Sequence, residues 1–124
     1  MKENGKGIPL MITLETLNAY GADTKSGLAR CMNNEAFYLR MVNMELKDQN
    51  FAKLAAAMAA GDATGAFEAA HAIKGAAGNL SLTPIFAPVS ELTELLRGAA
   101  VMPEAGDLAQ RTLAAYEALK KLAE

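Results

Sequence analysis

The chain has 124 residues and a formal net charge of −2. That length suits one domain with its own core. It is rich in Ala, Leu and Met, lacks Trp and has few β-branched aliphatics, a balance that favours helix over sheet. Near-neutral charge without a basic run or aromatic-basic interleaving argues against nucleic acid, and no apolar run approaches the roughly 18–20 residues of a membrane span.

Cys31 is the lone cysteine, so an intramolecular disulfide is excluded and the thiol reads as a small packed apolar residue. One histidine and one cysteine far apart make no metal site. The stretch after Met1–Lys6 is too short for a signal core. A cytoplasmic monomer with no membrane association is the expectation.

Residues 1–10 carry Gly5, Gly7 and Pro9 and read as a tail. A short helix is expected from Leu10 to Tyr20, with Leu10, Leu14, Leu17 and Tyr20 along one side and Gly21 ending it. Asp23 is the N-cap of a second short helix reaching Ala29 or Cys31. Neither piece is long enough to stand alone in water, so both must pack as a lid on the longer helices after them.

Asn33 or Asn34 then caps a long helix reaching about Ala60. Phe37, Met41, Met44, Asp48, Phe51, Ala55 and Met58 recur at steps of four and three. This stripe places Met41, Met44 and Met58 in the core. Its break at Asp48 marks a bend, or a cap for a second segment; one long, bent helix is the favoured reading. Gly61 and Asp62 are a stop and a restart. A helix over Ala63–Leu80 comes next, then one opened by Thr83 as N-cap and Pro84 at the first helical position. Ile85, Val89, Leu92 and Leu96 form the latter's stripe, Pro88 should bend it and Gly98 ends it. The last helix starts between Pro103 and Asp107, reaches Leu122, and buries Leu108, Thr112 or Leu113, Tyr116, Leu119 and Ala123.

The pattern is all-α: an antiparallel up-down four-helix bundle with one or two short N-terminal capping helices. Residues 1–124 read as one domain, with the tail and capping helices over 1–33 and the bundle over 34–123.

The only histidine, His71, lies in the segment Ala69–Leu80. At about 100° per residue, Ala66, Ala70, Ile73, Ala77 and Leu80 form the core stripe, and His71 lies about 160° from Ile73. His71 therefore faces outward, on a face shared with Thr64, Phe67, Glu68, Lys74, Gly75 and Gly78. Lys74 at i+3 can meet the imidazole. Gly75 at i+4 leaves bare backbone beside it. Two mid-helix glycines cost up to about 1 kcal/mol each relative to alanine, so Gly75 and Gly78 suggest that something large approaches closely. Imidazole supplies a neutral nucleophile near pH 7.

The run His71-Ala72-Ile73-Lys74-Gly75-Ala76-Ala77-Gly78-Asn79-Leu80 resembles the signature of histidine phosphotransfer (HPt) domains: His, any residue, an aliphatic, Lys, Gly, then small residues and an aliphatic. The helical pattern agrees over about residues 34–122, but the specific part is the dozen residues around His71. Ser81 departs from the glycine frequent there in the family; it is expected to alter the helix C-cap without touching the reactive face.

The resemblance implies a four-helix bundle in which His71 carries a phosphoryl group between receiver domains of response regulators or hybrid sensor kinases. Lys74 would support the phosphate, Gly75 and Gly78 would allow close approach, and Phe67 and Glu68 are candidates for the docking surface. Phe67 reads equally well as an apolar anchor or as a ring tucked against the long helix; Glu68 reads better as solvated. Thr93 and Arg97 are candidates to border the site. The chain has no phosphate-binding loop and no clustered carboxylates for Mg²⁺, so it is read as a relay intermediate, not an enzyme. No cofactor of its own is expected; Mg²⁺ would belong to the receiver. A second reading is a helical module that binds a receiver or kinase without transfer. An acid–base enzyme ranks last, since no carboxylate partner accompanies His71.

Overall fold

The computed structural model describes residues 12–98 and 103–124; Leu10 and the tail lie outside them. Among the described residues there are seven α-helices and no strand: α1 (Leu14–Tyr20), α2 (Thr24–Arg30), α3 (Glu35–Glu45), α4 (Asn50–Ala60), α5 (Ala63–Asn79), α6 (Thr83–Leu96) and α7 (Pro103–Lys121). Helix α5 packs against α4 and α6, and α7 closes the ring against α6 and α4. Short α4–α5 and α5–α6 connections make these neighbours antiparallel. Ala66, Ala69, Ala70 and Ala77 of α5 are buried, so adjacent backbones come close and larger residues such as Phe51, Leu54, Ile85, Val89 and Leu119 fill the remaining space.

Local chemistry sets most helix ends. Asp23, Asn34 and Asp62 accept from the backbone N–H three residues on, at 3.1, 3.0 and 3.0 Å. Gly21 and Gly61 take left-handed φ values of 113° and 71°, which glycine adopts without a Cβ penalty. Helix α1 begins at Leu14, later than expected, because Thr13 and Thr16 form a reciprocal capping box. In α6, Leu82 and not Thr83 occupies the N-cap position, so Pro84 sits one residue deeper. Still within the first turn, its missing N–H costs no helical bond. The helix continues through the buried Pro88.

The long helix expected to reach Ala60 is instead two helices, α3 and α4. In a continuous helix Asn50 N–H would donate to the Leu46 carbonyl. Here Asn50 N–H donates to Asp48 Oδ1 at 2.9 Å, and the Leu46 carbonyl accepts from Tyr116 Oη at 2.6 Å. Asp48 thus competes for the backbone donor, and α7 captures the freed acceptor. The Tyr116 ring stacks on Phe51 at 3.8 Å, fixing the elbow to the bundle.

The break also shifts the apolar phase. Tyr38, Val42 and Glu45 are the buried residues of α3, and Phe51, Leu54 and Ala57 those of α4. Met44, expected in the core, is 58% exposed; Met41 and Met58 are half-buried, Phe37 and Ala55 exposed.

Helices α2 and α3 are held on the exit of α5, while α1 is tied to α7 through Tyr20 Oη, which donates to the Ala115 carbonyl at 2.8 Å. Asp23 N–H donates to the Ser81 carbonyl at 2.9 Å, Tyr38 Oη to the Leu80 carbonyl at 2.9 Å, and Arg30 to the Gly78 carbonyl and to Ser81 Oγ. A Cβ on Gly27 would lie 2.5 Å from the Tyr38 ring, so glycine there lets the ring pass under α2.

Glu45 is buried, and its Oε2 has no hydrogen-bond partner among the described residues. Burial first, and then Asp48, push its carboxyl up to about 8. The folded chain then keeps a proton that the unfolded chain loses above the ordinary carboxylate range. Stability therefore falls as pH rises from about 4.5 to about 8 and levels off above. The decline runs at up to about 1.4 kcal/mol per pH unit. Glu45→Gln should flatten it: its melting temperature should exceed wild type increasingly from pH 5 to pH 8.5, as thermal denaturation monitored by circular dichroism will show.

Candidate functional site

His71 is exposed on the middle of α5, with Ala70 and Ile73 buried beneath it. It lines an open cleft of about 610 Å³ together with Lys74, Gly75, Gly78 and Asn79 of α5. The opposite wall comes from α2 and its cap, through Asp23, Ser26 and Arg30, and the end wall from Ser81, Thr83 and Phe86. Helix α2 therefore borders the imidazole without covering it.

The two glycines have different surroundings. Nothing lies within 4 Å of a Cβ built on Gly75, whereas one on Gly78 would lie 3.0 Å from the Phe86 ring. Gly75 leaves open space beside His71. Gly78 makes room for a ring of α6, so its close neighbour is within the chain, contrary to the expectation that both glycines admit something from outside.

Lys74 is half-buried in the cleft and forms no ion pair among the described residues. Across from it, Glu94 is held below its ordinary range, mainly by its hydrogen bond to Arg97 and less by Lys74. Arg97 also lies over the Phe67 ring at 5.4 Å, and that ring lies near-parallel to the imidazole at 5.7 Å between centroids. Phe67 is thus half-buried between His71 and Arg97 and packs on the core, which favours the tucked reading over the free anchor. Arg97 reaches the site through Phe67. Thr93 does not, being buried with its hydroxyl donating to the Val89 carbonyl at 2.7 Å. Glu68 faces another depression, beside Asn50 and Lys53 of α4, away from the His71 cleft.

Arg30, Ser26, Phe86 and Ser81 line the cleft, and no periodicity or motif points to them. Contrary to the expectation that Ser81 leaves the reactive face alone, it lines that cleft, adopts φ 55° and accepts from Arg30 at 2.9 Å. The departure from glycine is the available signal: a non-glycine residue in left-handed conformation carries strain, and a second interaction holds it there.

No group of three or more His, Cys, Asp or Glu is placed to hold a metal ion among the described residues. No described helix is long and apolar enough to cross a membrane.

A helical bundle with an exposed histidine, a lysine one turn on and bare backbone beside it has the form of a phosphotransfer domain. The Hpt domain family model matches residues 44–122, more than half of the chain, and the chain belongs to that family, the histidine phosphotransfer domains of two-component signalling. No curated protein and no solved structure matches it.

Replacing each glycine by alanine separates their roles. Gly75→Ala should raise stability by up to about 1 kcal/mol, a few degrees in melting temperature. Gly78→Ala should gain less or lose, because Phe86 must move. Differential scanning calorimetry of the two variants checks this.

Proposed function

We propose that the protein relays a phosphoryl group between receiver domains through a phosphohistidine on His71. The observation that carries this reading is the open cleft that unites the exposed His71, the Lys74 ammonium and the bare backbone at Gly75. The imidazole attacks the phosphorus of a receiver's aspartyl phosphate. A nitrogen–phosphorus bond forms, the bond from phosphorus to the aspartate oxygen breaks, and the carboxylate leaves. Transfer to the next receiver runs the same exchange backwards.

Such transfer depends on alignment and on neutralising phosphate charge. Lys74, one turn from His71, supplies part of that charge. Mg²⁺ and the acidic pocket belong to the receiver. Gly75 lets the receiver's loops reach the imidazole. The near-parallel Phe67 ring limits how far the imidazole can swing.

Incubation with a phosphorylated receiver should place an acid-labile, base-stable label on wild type and none on His71→Gln, with the fold retained because the side chain is exposed. Lys74→Ala should slow loading about tenfold without abolishing it. Gly75→Leu should block loading while raising helix propensity. Receiver binding without label on wild type would replace the relay by the phosphorylation-independent interaction module.

A further inference from the structure

Three charged side chains lie around the imidazole, and one has the wrong sign for phosphoryl chemistry. Glu94 of α6 accepts from Arg97 through both carboxylate oxygens, from Nη2 at 3.0 Å and from Nε at 3.4 Å. Lys74 of α5 acts on the same carboxylate, after Arg97. A phosphoryl group brings up to about two negative charges, so a carboxylate beside the phosphoacceptor becomes a liability once the group arrives.

Phe67 sets where the guanidinium waits. Arg97 lies over its ring at 5.4 Å, and the same ring lies near-parallel to the His71 imidazole at 5.7 Å. An aromatic face attracts a cation without using its N–H groups, so the hydrogen-bonding edge can change partner. Arg97 is held one ring away from the imidazole, with Glu94 as its partner. The Arg97 and Glu94 side chains are 56% and 61% exposed, so packing does not lock the pair. On its other side Glu94 borders a depression between α6 and α7 with Glu91, Glu104 and Asp107, where Arg111 pairs with Asp107 at 3.4 Å. Without Arg97, Glu94 faces like charge there.

We propose that Glu94 competes with the phosphoryl group for Arg97 and Lys74, and so sets the partition of that group between His71 and the receiver's aspartate. The assignment rests on the relay reading and adds no bond-making step to it. In the unphosphorylated chain Arg97 sits on Phe67 and binds Glu94. When His71 is phosphorylated, the more highly charged phosphoryl oxygens draw Arg97 along the ring toward the imidazole, and Glu94 is left with a weaker partner. That loss lowers the stability of the phosphohistidine, so His71 releases the group more readily than two uncontested cations would allow. An intermediate must empty as well as fill. Exposed charge pairs shift an equilibrium by roughly fivefold at most, enough to trim this partition without blocking transfer. Glu94 is a positioning residue: it acts through Arg97.

The partition separates this role from docking. It compares the phosphorylated and free forms of two separate proteins, so a change that affects only their complex alters both rates and leaves the partition where it was. The full chain is mixed, at concentrations too dilute for the complex to accumulate, with a phosphorylated receiver domain from the same genome that loads wild type. Label on each protein is measured at the plateau of the exchange. Glu94→Gln should move the partition toward His71 by about threefold to fivefold, and Arg97→Gln should move it toward the receiver by a similar factor. Glu94→Asp, which keeps the charge, should stay within about twofold of wild type. In the Arg97→Gln background the effect of Glu94→Gln should fall below about twofold, because the group competed for is gone. Raising the salt to 0.5 M should shrink the single-variant shifts.

Label on wild type with an unchanged partition in Glu94→Gln overturns the competition and leaves the relay standing, even if loading is slower. A Glu94→Gln shift that persists undiminished without Arg97 is repulsion through space, and it too overturns the assignment while the relay stands. Failure of every receiver to label wild type overturns the relay reading and this assignment with it.

Discussion

The exit of α5 is the constraint on which this architecture turns. Every helix leaves its last carbonyls without internal partners. In α5 the segment Gly78–Ser81 finds them on the N-terminal part of the chain: Arg30 on Gly78, Tyr38 on Leu80 and Asp23 on Ser81. Two short helices, α2 and α3, that could not persist alone in water are thereby fixed to the helix bearing His71. The His71 cleft results from this, with α2 as one of its walls.

The same constraint accounts for Ser81. Its left-handed backbone would suit glycine, yet its hydroxyl gives Arg30 a second acceptor. Some intrinsic strain is accepted at the turn in return for a tie between α2 and the α5–α6 connection. The glycines one and two turns earlier solve different problems. Gly78 lets Phe86 pack against α5, and Gly75 leaves the surface beside His71 empty. One is about the chain's own packing, the other about access from outside.

The His71 helix is legible in the sequence because its signal is periodic and local. Alanines and Ile73 repeat on one face, so the exposure of His71 follows from helical geometry alone. The cap residues Asp23, Asn34 and Asp62 are equally legible, since a cap bond reaches only three residues. The α3–α4 elbow is not. Asp48 interrupts the stripe, but whether a helix bends or ends there depends on who receives the Leu46 carbonyl, and that partner is Tyr116, 70 residues on. Assuming continuity carries the apolar phase past the elbow and puts Met44 in the core, where it is not. The buried Glu45 escapes a pattern that treats acidic residues as solvent-facing.

The sequence by itself determined that the chain is helical, where most helices begin and end, and that His71 points to water, because those properties depend on neighbours within one or two turns. Only the tertiary structure decided that α2 flanks His71, that Gly78 serves Phe86 and that Glu45 is buried. Those depend on contacts between residues far apart in the chain, where side-chain size and free hydrogen-bonding groups match only after the helices have packed.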